Sequence, residues 1–106
     1  MRHFASLRRP GEFARVRSRG RRTATADLTI FRSDAGRGDD RPLVGISVSK
    51  TVGGAVVRNR VRRRLQAAVH ELLAPQMRMR AVIIARPSAA AAAYPTLLDQ
   101  VRRGLN

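Results

Sequence analysis

The sequence predicts an α+β domain: a small sheet of three to four strands with helices packed on it, in the order helix, strand, strand, helix, strand, helix. Apolar residues recur at helical spacing at Val57, Val61, Leu65, Ala68, Val69 and Leu72. Three other stretches, Thr23–Phe31, Leu43–Val48 and Arg80–Arg86, are short and rich in apolar and β-branched residues, as strands are. Prolines at positions 10, 75, 87 and 95 punctuate the chain where elements start or stop. A chain of 106 residues makes one domain, with room for one modest core.

Met1–Arg9 is basic and reads as extended or mobile. Pro10-Gly11-Glu12 opens a short helix, because an early proline and a first-turn acid both favour a helix start. Phe13 and Val16 share its inner face, and Gly20 stops it. Arg15, Arg17, Arg19, Arg21 and Arg22 gather at the helix end, where the dipole favours cations. Phe13 reads first as a core anchor and second as a ring on which a base could stack. The segment Ser33–Pro42 is polar and glycine-rich and reads as an exposed hairpin connection between the first two strands. It lacks the Gly-Lys-Ser/Thr ending of a phosphate loop. After the second strand, Ser49–Gly54 turns into the central helix, expected from about Ala55 to Leu73, with a further short strand possible at Thr51-Val52. The glycine pair Gly53-Gly54 reads as a plain turn before it reads as an anion cradle. The run Ala81–Ala85 is apolar throughout, as a strand covered on both faces would be. The alanines up to Ala93 suit either helix or loop, and Pro95 starts a last helix with a Leu98, Val101, Leu105 stripe.

The central helix carries the strongest functional signal. Between Val57 and Leu65 the stripe alternates with Arg58, Asn59, Arg60, Arg62, Arg63 and Arg64. At about 100° per residue, Asn59 and Arg63 point away from the apolar stripe. Arg60 and Arg64 lie on one flank, Arg62 on the other, and Arg58 at the stripe's edge. Like charges four apart cost an isolated helix a few tenths of a kcal/mol per pair. A plain solvated face normally mixes Glu with Lys, but Glu71 is the only acid in this helix. Guanidinium forks match phosphate oxygens, so the face reads as a polyanion surface.

The composition agrees. There are 22 basic residues against 7 acidic ones, for a formal charge of +15, and Lys50 is the only lysine. Charge of this size marks a nucleic-acid binder. With no cysteine, disulfides and thiolate metal sites are excluded, and the cytoplasm is the expected compartment. The first residues lack the apolar run of a secretory signal. No apolar run is long enough for a membrane span, so no membrane partner is expected. His3 and His70 cannot build a metal site alone, and His70 is expected on the helix surface.

At Val44-Gly45-Ile46-Ser47-Val48-Ser49-Lys50, followed by Gly53, Ala55-Val56-Val57-Arg58-Asn59-Arg60 and Arg62-Arg63-Arg64-Leu65, the chain resembles the protein subunit of bacterial ribonuclease P. The likeness extends to Glu12-Phe13, Leu28–Phe31 and Ile83–Arg86. It implies a two-layer α/β sandwich with a mixed sheet, similar to the second domain of ribosomal protein S5. It also implies a left-handed crossover around the arginine helix, against the usual hand.

The resemblance further implies a protein that is not itself the catalyst, so no catalytic residues and no protein-held metal are expected. A large RNA subunit would remove the 5′ leader of precursor tRNA, with Mg2+ held mainly by RNA, and one protein would serve each RNA. Carried over by position, Lys50, Arg58, Asn59, Arg60, Arg62 and Arg63 would contact RNA. Arg64 matches only the general basicity of the stretch. Asn59 would either order the arginines or bond RNA directly. A cleft between this helix and the sheet would receive the leader, lined by Phe13 and Phe31, with Ser47, Ser49 and Arg86 nearby. Stacking of bases on aromatic rings tolerates sequence variation, as a leader requires. Arg17 stands where relatives place a second cleft aromatic, which makes the platform more electrostatic. Thr51, Gly54 and Gln66 replace residues that are commonly basic in the family.

Two other functions suit the composition. A small ribosomal or general RNA-binding protein would share the size and charge but not the Ser-Val-Ser-Lys to Arg-Asn-Arg spacing. A protein-only nuclease would need a carboxylate cluster for magnesium, and the only acid-rich stretch is the loop with Asp34, Asp39 and Asp40.

Overall fold

The computed structural model describes residues 3–106; Met1 and Arg2, part of the expected extended start, lie outside the described residues. Among the described residues, five strands form one mixed sheet in the order β1-β4-β5-β3-β2. The elements are β1 (Ala5–Ser6), α1 (Pro10–Arg19), β2 (Arg21–Ala24), β3 (Leu28–Asp34), β4 (Leu43–Ser47), α2 (Ala55–Leu72), β5 (Met79–Ala85) and α3 (Tyr94–Leu105). A 3-10 turn at Pro87–Ala91 links β5 to α3.

Helices and strands fall close to where the periodicity put them, but the sheet is larger and differently connected. The strand expected at Thr23–Phe31 is an antiparallel hairpin, β2–β3, folded at Thr25-Ala26-Asp27, with Thr23 opposite Ile30. Gln100 of α3, 2% exposed, closes that turn. Its Oε1 accepts from the Thr25 hydroxyl at 2.6 Å and the Asp27 amide at 2.9 Å, while its Nε2 donates to Asp27 Oδ2 at 2.7 Å. The stretch Ala5–Ser6 is a short strand parallel to β4 rather than a loose end. Thr51-Val52 is a turn, not a strand, closed by the Val52 amide bonding the Ser49 carbonyl.

Ser33–Pro42 is not a hairpin connection. β5 inserts between β3 and β4, pairing antiparallel with the first and parallel with the second. The loop therefore has to cross over the end of β5, and Arg80 of that strand holds it. Arg80 bonds both carboxylate oxygens of Asp39, at 2.9 and 3.0 Å, and lies 3.6 Å from Glu12 of α1. The Arg80 guanidinium, with help from the Gly36 amide, holds the Asp39 carboxyl below its usual range, and Asp39 in turn raises the Arg80 pKa.

Alternation along the strands sorts the core into two faces. Leu28, Ile30, Val44, Ala81 and Ile83 pack with Val61, Leu65 and Val69 of α2 and with Leu97 and Val101 of α3. Phe31, Leu43, Val82 and Ile84 face the other way, where Phe13 and Val16 of α1 and Leu7 cover part of them. So α2 and α3 make the second layer of the sandwich, and α1 crosses the opposite face. Among the described residues no helix is long and apolar enough to cross a membrane.

Candidate nucleic-acid interface

The turn before α2 presents Lys50 exposed to solvent. Gly53 has φ +156°, and a side chain there would stand 2.9 Å from Val57, so glycine is required for the chain to double back into the helix. Gly54 caps α2 without a side-chain bond to the first-turn amides.

The helix divides its arginines between two directions. Arg60 and Arg64 reach the carbonyls after β5: Arg64 donates to Ala92 O at 2.8 Å, and Arg60 to Ala90 O at 3.4 Å. On the other flank, Arg62 donates to Asn59 Oδ1 at 3.0 Å. Asn59 thereby holds an arginine in place, one of the two roles the sequence allowed. Arg63 is exposed between these groups, and Arg58 is half-buried with an Nε that finds no acceptor among the described residues. The pairing of Arg64 with Ala92 was not legible in the sequence, because nothing local links residues 28 apart.

Phe13, Arg17, Phe31 and Ser47 gather on the α1 face of the sheet. The apolar stripe of α2 is packed directly on the opposite face, so α2 borders this side of the sheet only at one groove. The aromatic platform instead adjoins α1. Arg17 lies over the Phe31 ring, 6.0 Å from its centroid, and the half-buried Phe13 ring packs on Gly45. Ser47 follows Gly45 on this side of β4 and pairs in register with Ile84. Arg86 joins the same face through Thr29, whose hydroxyl oxygen lies 3.3 Å from both Nε and Nη2. Ser49 sits past the strand end, bonded to Thr51.

One link between the two surfaces survives. Around the β1–β4 edge runs a groove of about 160 Å³ lined by Phe13 and Gly45 on one side and by Arg62 and Gln66 of α2 on the other. So α2 borders the aromatic platform at one corner, through Arg62, while Arg60 and Arg64 face away from it. His70 is half-buried rather than free on the surface: its ring stacks on His3 at 4.0 Å, and His3 Nδ1 bonds Leu73 O at 2.9 Å.

Among the described residues no three His, Cys, Asp or Glu side chains stand where they could hold a metal ion together. Asp39 is committed to Arg80, so the acid-rich loop offers no free carboxylate pair at its base.

The ribonuclease P family model matches residues 1–106. The chain belongs to the ribonuclease P protein family. The ribonuclease P protein component of Acidothermus cellulolyticus is 42% identical over 98 residues, covering 92% of this chain and 82% of that protein. That of Mycobacteroides abscessus is 41% identical over 107 residues, covering 94% and 84%. Among solved structures, the RNase P protein of Staphylococcus aureus superposes with a TM-score of 0.77 at 23% identity, covering 93% of this chain and 90% of that one. The RNase P protein of Thermotoga maritima gives 0.74 at 17% identity, covering 92% and 96%. These two superpositions show the shared fold. As a family member the chain is a protein subunit of ribonuclease P, with a role in tRNA processing.

Proposed function

We propose that this subunit holds two RNA strands for a reaction whose chemistry is carried by its RNA partner. The exposed side of α2, with Lys50, Arg58, Asn59, Arg60, Arg62, Arg63 and Arg64, docks on the ribonuclease P RNA. The platform on the other face, with Phe13, Arg17, Phe31, Ser47, Ser49 and Arg86, receives the single-stranded 5′ leader of precursor tRNA. The observation that carries this reading is the groove where Arg62 meets Phe13. There a phosphate-binding helix and a stacking surface share one edge, so two strands bound to them would be held side by side.

Each surface suits its strand. Arginine forks take phosphate oxygens without regard to sequence. Phe31 under Arg17 offers a ring and a guanidinium plane to any base. In this reading Mg2+ is held by RNA and substrate, and the protein acts by positioning. One protein per RNA, working in the cytoplasm, completes the reading.

Reconstitution tests it. The purified chain, added to its ribonuclease P RNA at low magnesium, should stimulate removal of the leader from precursor tRNA. Binding without stimulation would instead favour a general RNA-binding protein. Cleavage by the RNA-free protein would move the chemistry onto the polypeptide.

A further inference from the structure

A further cleft belongs to neither surface. It has a volume of about 530 Å³ and lies between the C-terminal half of α1, the β2–β3 hairpin and the start of the crossing loop. Arg15 and Arg19 of α1, Arg21 of β2, Arg32 of β3, Asp34 and Arg80 line it. It sits at the β2 end of the sheet, whereas α2 packs toward the β4 end and on the opposite face.

Only part of its charge is used internally. Arg80 is taken by Asp39 and Glu12, so it adds no free cation. Arg21 gives one N–H to the main-chain oxygen of Asn106 and keeps the rest of its fork. Arg32 is half-buried, and its enclosed Nε has no hydrogen-bond acceptor among the described residues. Arg15 and Arg19 are exposed. The only acid in the lining is Asp34, itself exposed at the rim. The bland explanation is that cations collect at a helix C-terminus. It accounts for Arg19 in the last turn of α1, but not for Arg21 and Arg32, which come from strands. Four arginines from three elements line one concavity, and like charge gathered there is best offset by an anion with several charges.

We infer that this cleft is a second phosphate-binding site, which takes a run of RNA backbone phosphates separate from the strands held by α2 and the aromatic platform. The inference rests on the RNA-subunit reading above. It adds that the protein grips RNA at opposite corners of the molecule. Guanidinium forks with free N–H groups and no stacking ring in the lining suit backbone oxygens rather than bases.

The test uses the full chain. Both Arg15 and Arg19 are exposed, so the double variant R15Q/R19Q should melt as the parent does. Its binding to the ribonuclease P RNA is measured across a salt series, beside R60A/R63A on α2. Loss of two phosphate contacts should lower the log–log salt slope by roughly 1.5. Because the chain has no cysteine, Ser18→Cys gives a single point for a tethered cleavage reagent beside the cleft, and Thr51→Cys gives one beside α2. The two reagents should cut different stretches of RNA. An unchanged slope in R15Q/R19Q overturns the inference whatever α2 does. An unchanged slope in R60A/R63A overturns the α2 reading separately. Titration with inorganic tripolyphosphate separates the sources of phosphate: if it binds the parent and not R15Q/R19Q while the RNA slope is unmoved, the cleft takes free oligophosphate and the RNA assignment is wrong.

Discussion

The Phe13 ring occupies the space where a side chain at Gly45 would stand: a Cβ there would meet Cε1 and Cζ of the ring at 2.4 Å. The stacking surface therefore depends on an absent side chain on β4. Gly45→Ala should push Phe13 off the sheet. Overpacking of this kind costs about 1–3 kcal/mol, measurable by denaturant unfolding. Affinity for precursor tRNA should fall more than affinity for mature tRNA. Equal losses for the two substrates would return Phe13 to a purely structural part.

The flanks of α2 should separate in mutagenesis. Arg63 is exposed and makes no bond among the described residues, whereas Arg64 is tied to Ala92. Arg63→Ala should leave the melting temperature in place and lower the salt slope of RNA binding by roughly 0.7–0.9. Arg64→Ala should do more to stability than to that slope, at about 1 kcal/mol for a half-exposed charged hydrogen bond. Parallel salt titrations and thermal melts of the two variants decide it.

Acid should loosen the crossing loop. The Arg80 guanidinium lowers the Asp39 pKa in the folded protein, so folding favours the ionised form. Stability from this pair is complete above the ordinary carboxylate pKa and is lost as pH falls through the lower folded value, that is, below about pH 4. Asp39→Asn should be less stable than the parent at neutral pH and should show a shallower decline through that window. Urea midpoints measured from neutral pH down to about pH 2.5 give the comparison.

Gln100→Leu keeps the volume of a buried side chain but removes three hydrogen bonds at the β2–β3 turn. The Thr25 hydroxyl keeps the Leu28 carbonyl as a partner at 3.1 Å, while the Asp27 amide is left without its partner. A loss of about 1–3 kcal/mol follows. Amide exchange should quicken at Asp27 and Leu28 before it does in β5.

Much of this molecule was legible in its sequence, and what was missed has a common cause. The α2 stripe was readable because helical periodicity is local, and Val61, Leu65, Ala68 and Val69 are all buried. The Ala81–Ala85 run implied a strand covered on both faces, and β5 is the central strand. The strand β1, two residues long, leaves no pattern to read. The Thr25-Ala26-Asp27 turn lacks the glycine or proline that marks most turns, because Gln100, far away in sequence, supplies its hydrogen bonds instead. The choice of neighbours for β3 and β4 is likewise made by pairing over long distances. The same holds for the site. The arginine run and both aromatics could be read, but which face each occupies follows from α1 and α2 packing on opposite sides of the sheet.

The insertion of β5 between β3 and β4 gives the chain a particular order of assembly during translation. Both neighbours leave the ribosome before the strand that joins them, and α2 leaves before β5 and α3, on which it packs. Long-range pairing of this kind cannot begin until its last partner is present. A truncated or stalled polypeptide would carry every arginine of α2 yet lack the scaffold that aligns them. The cationic face of α2 is thus set in its final position only after β5 and α3 have been made.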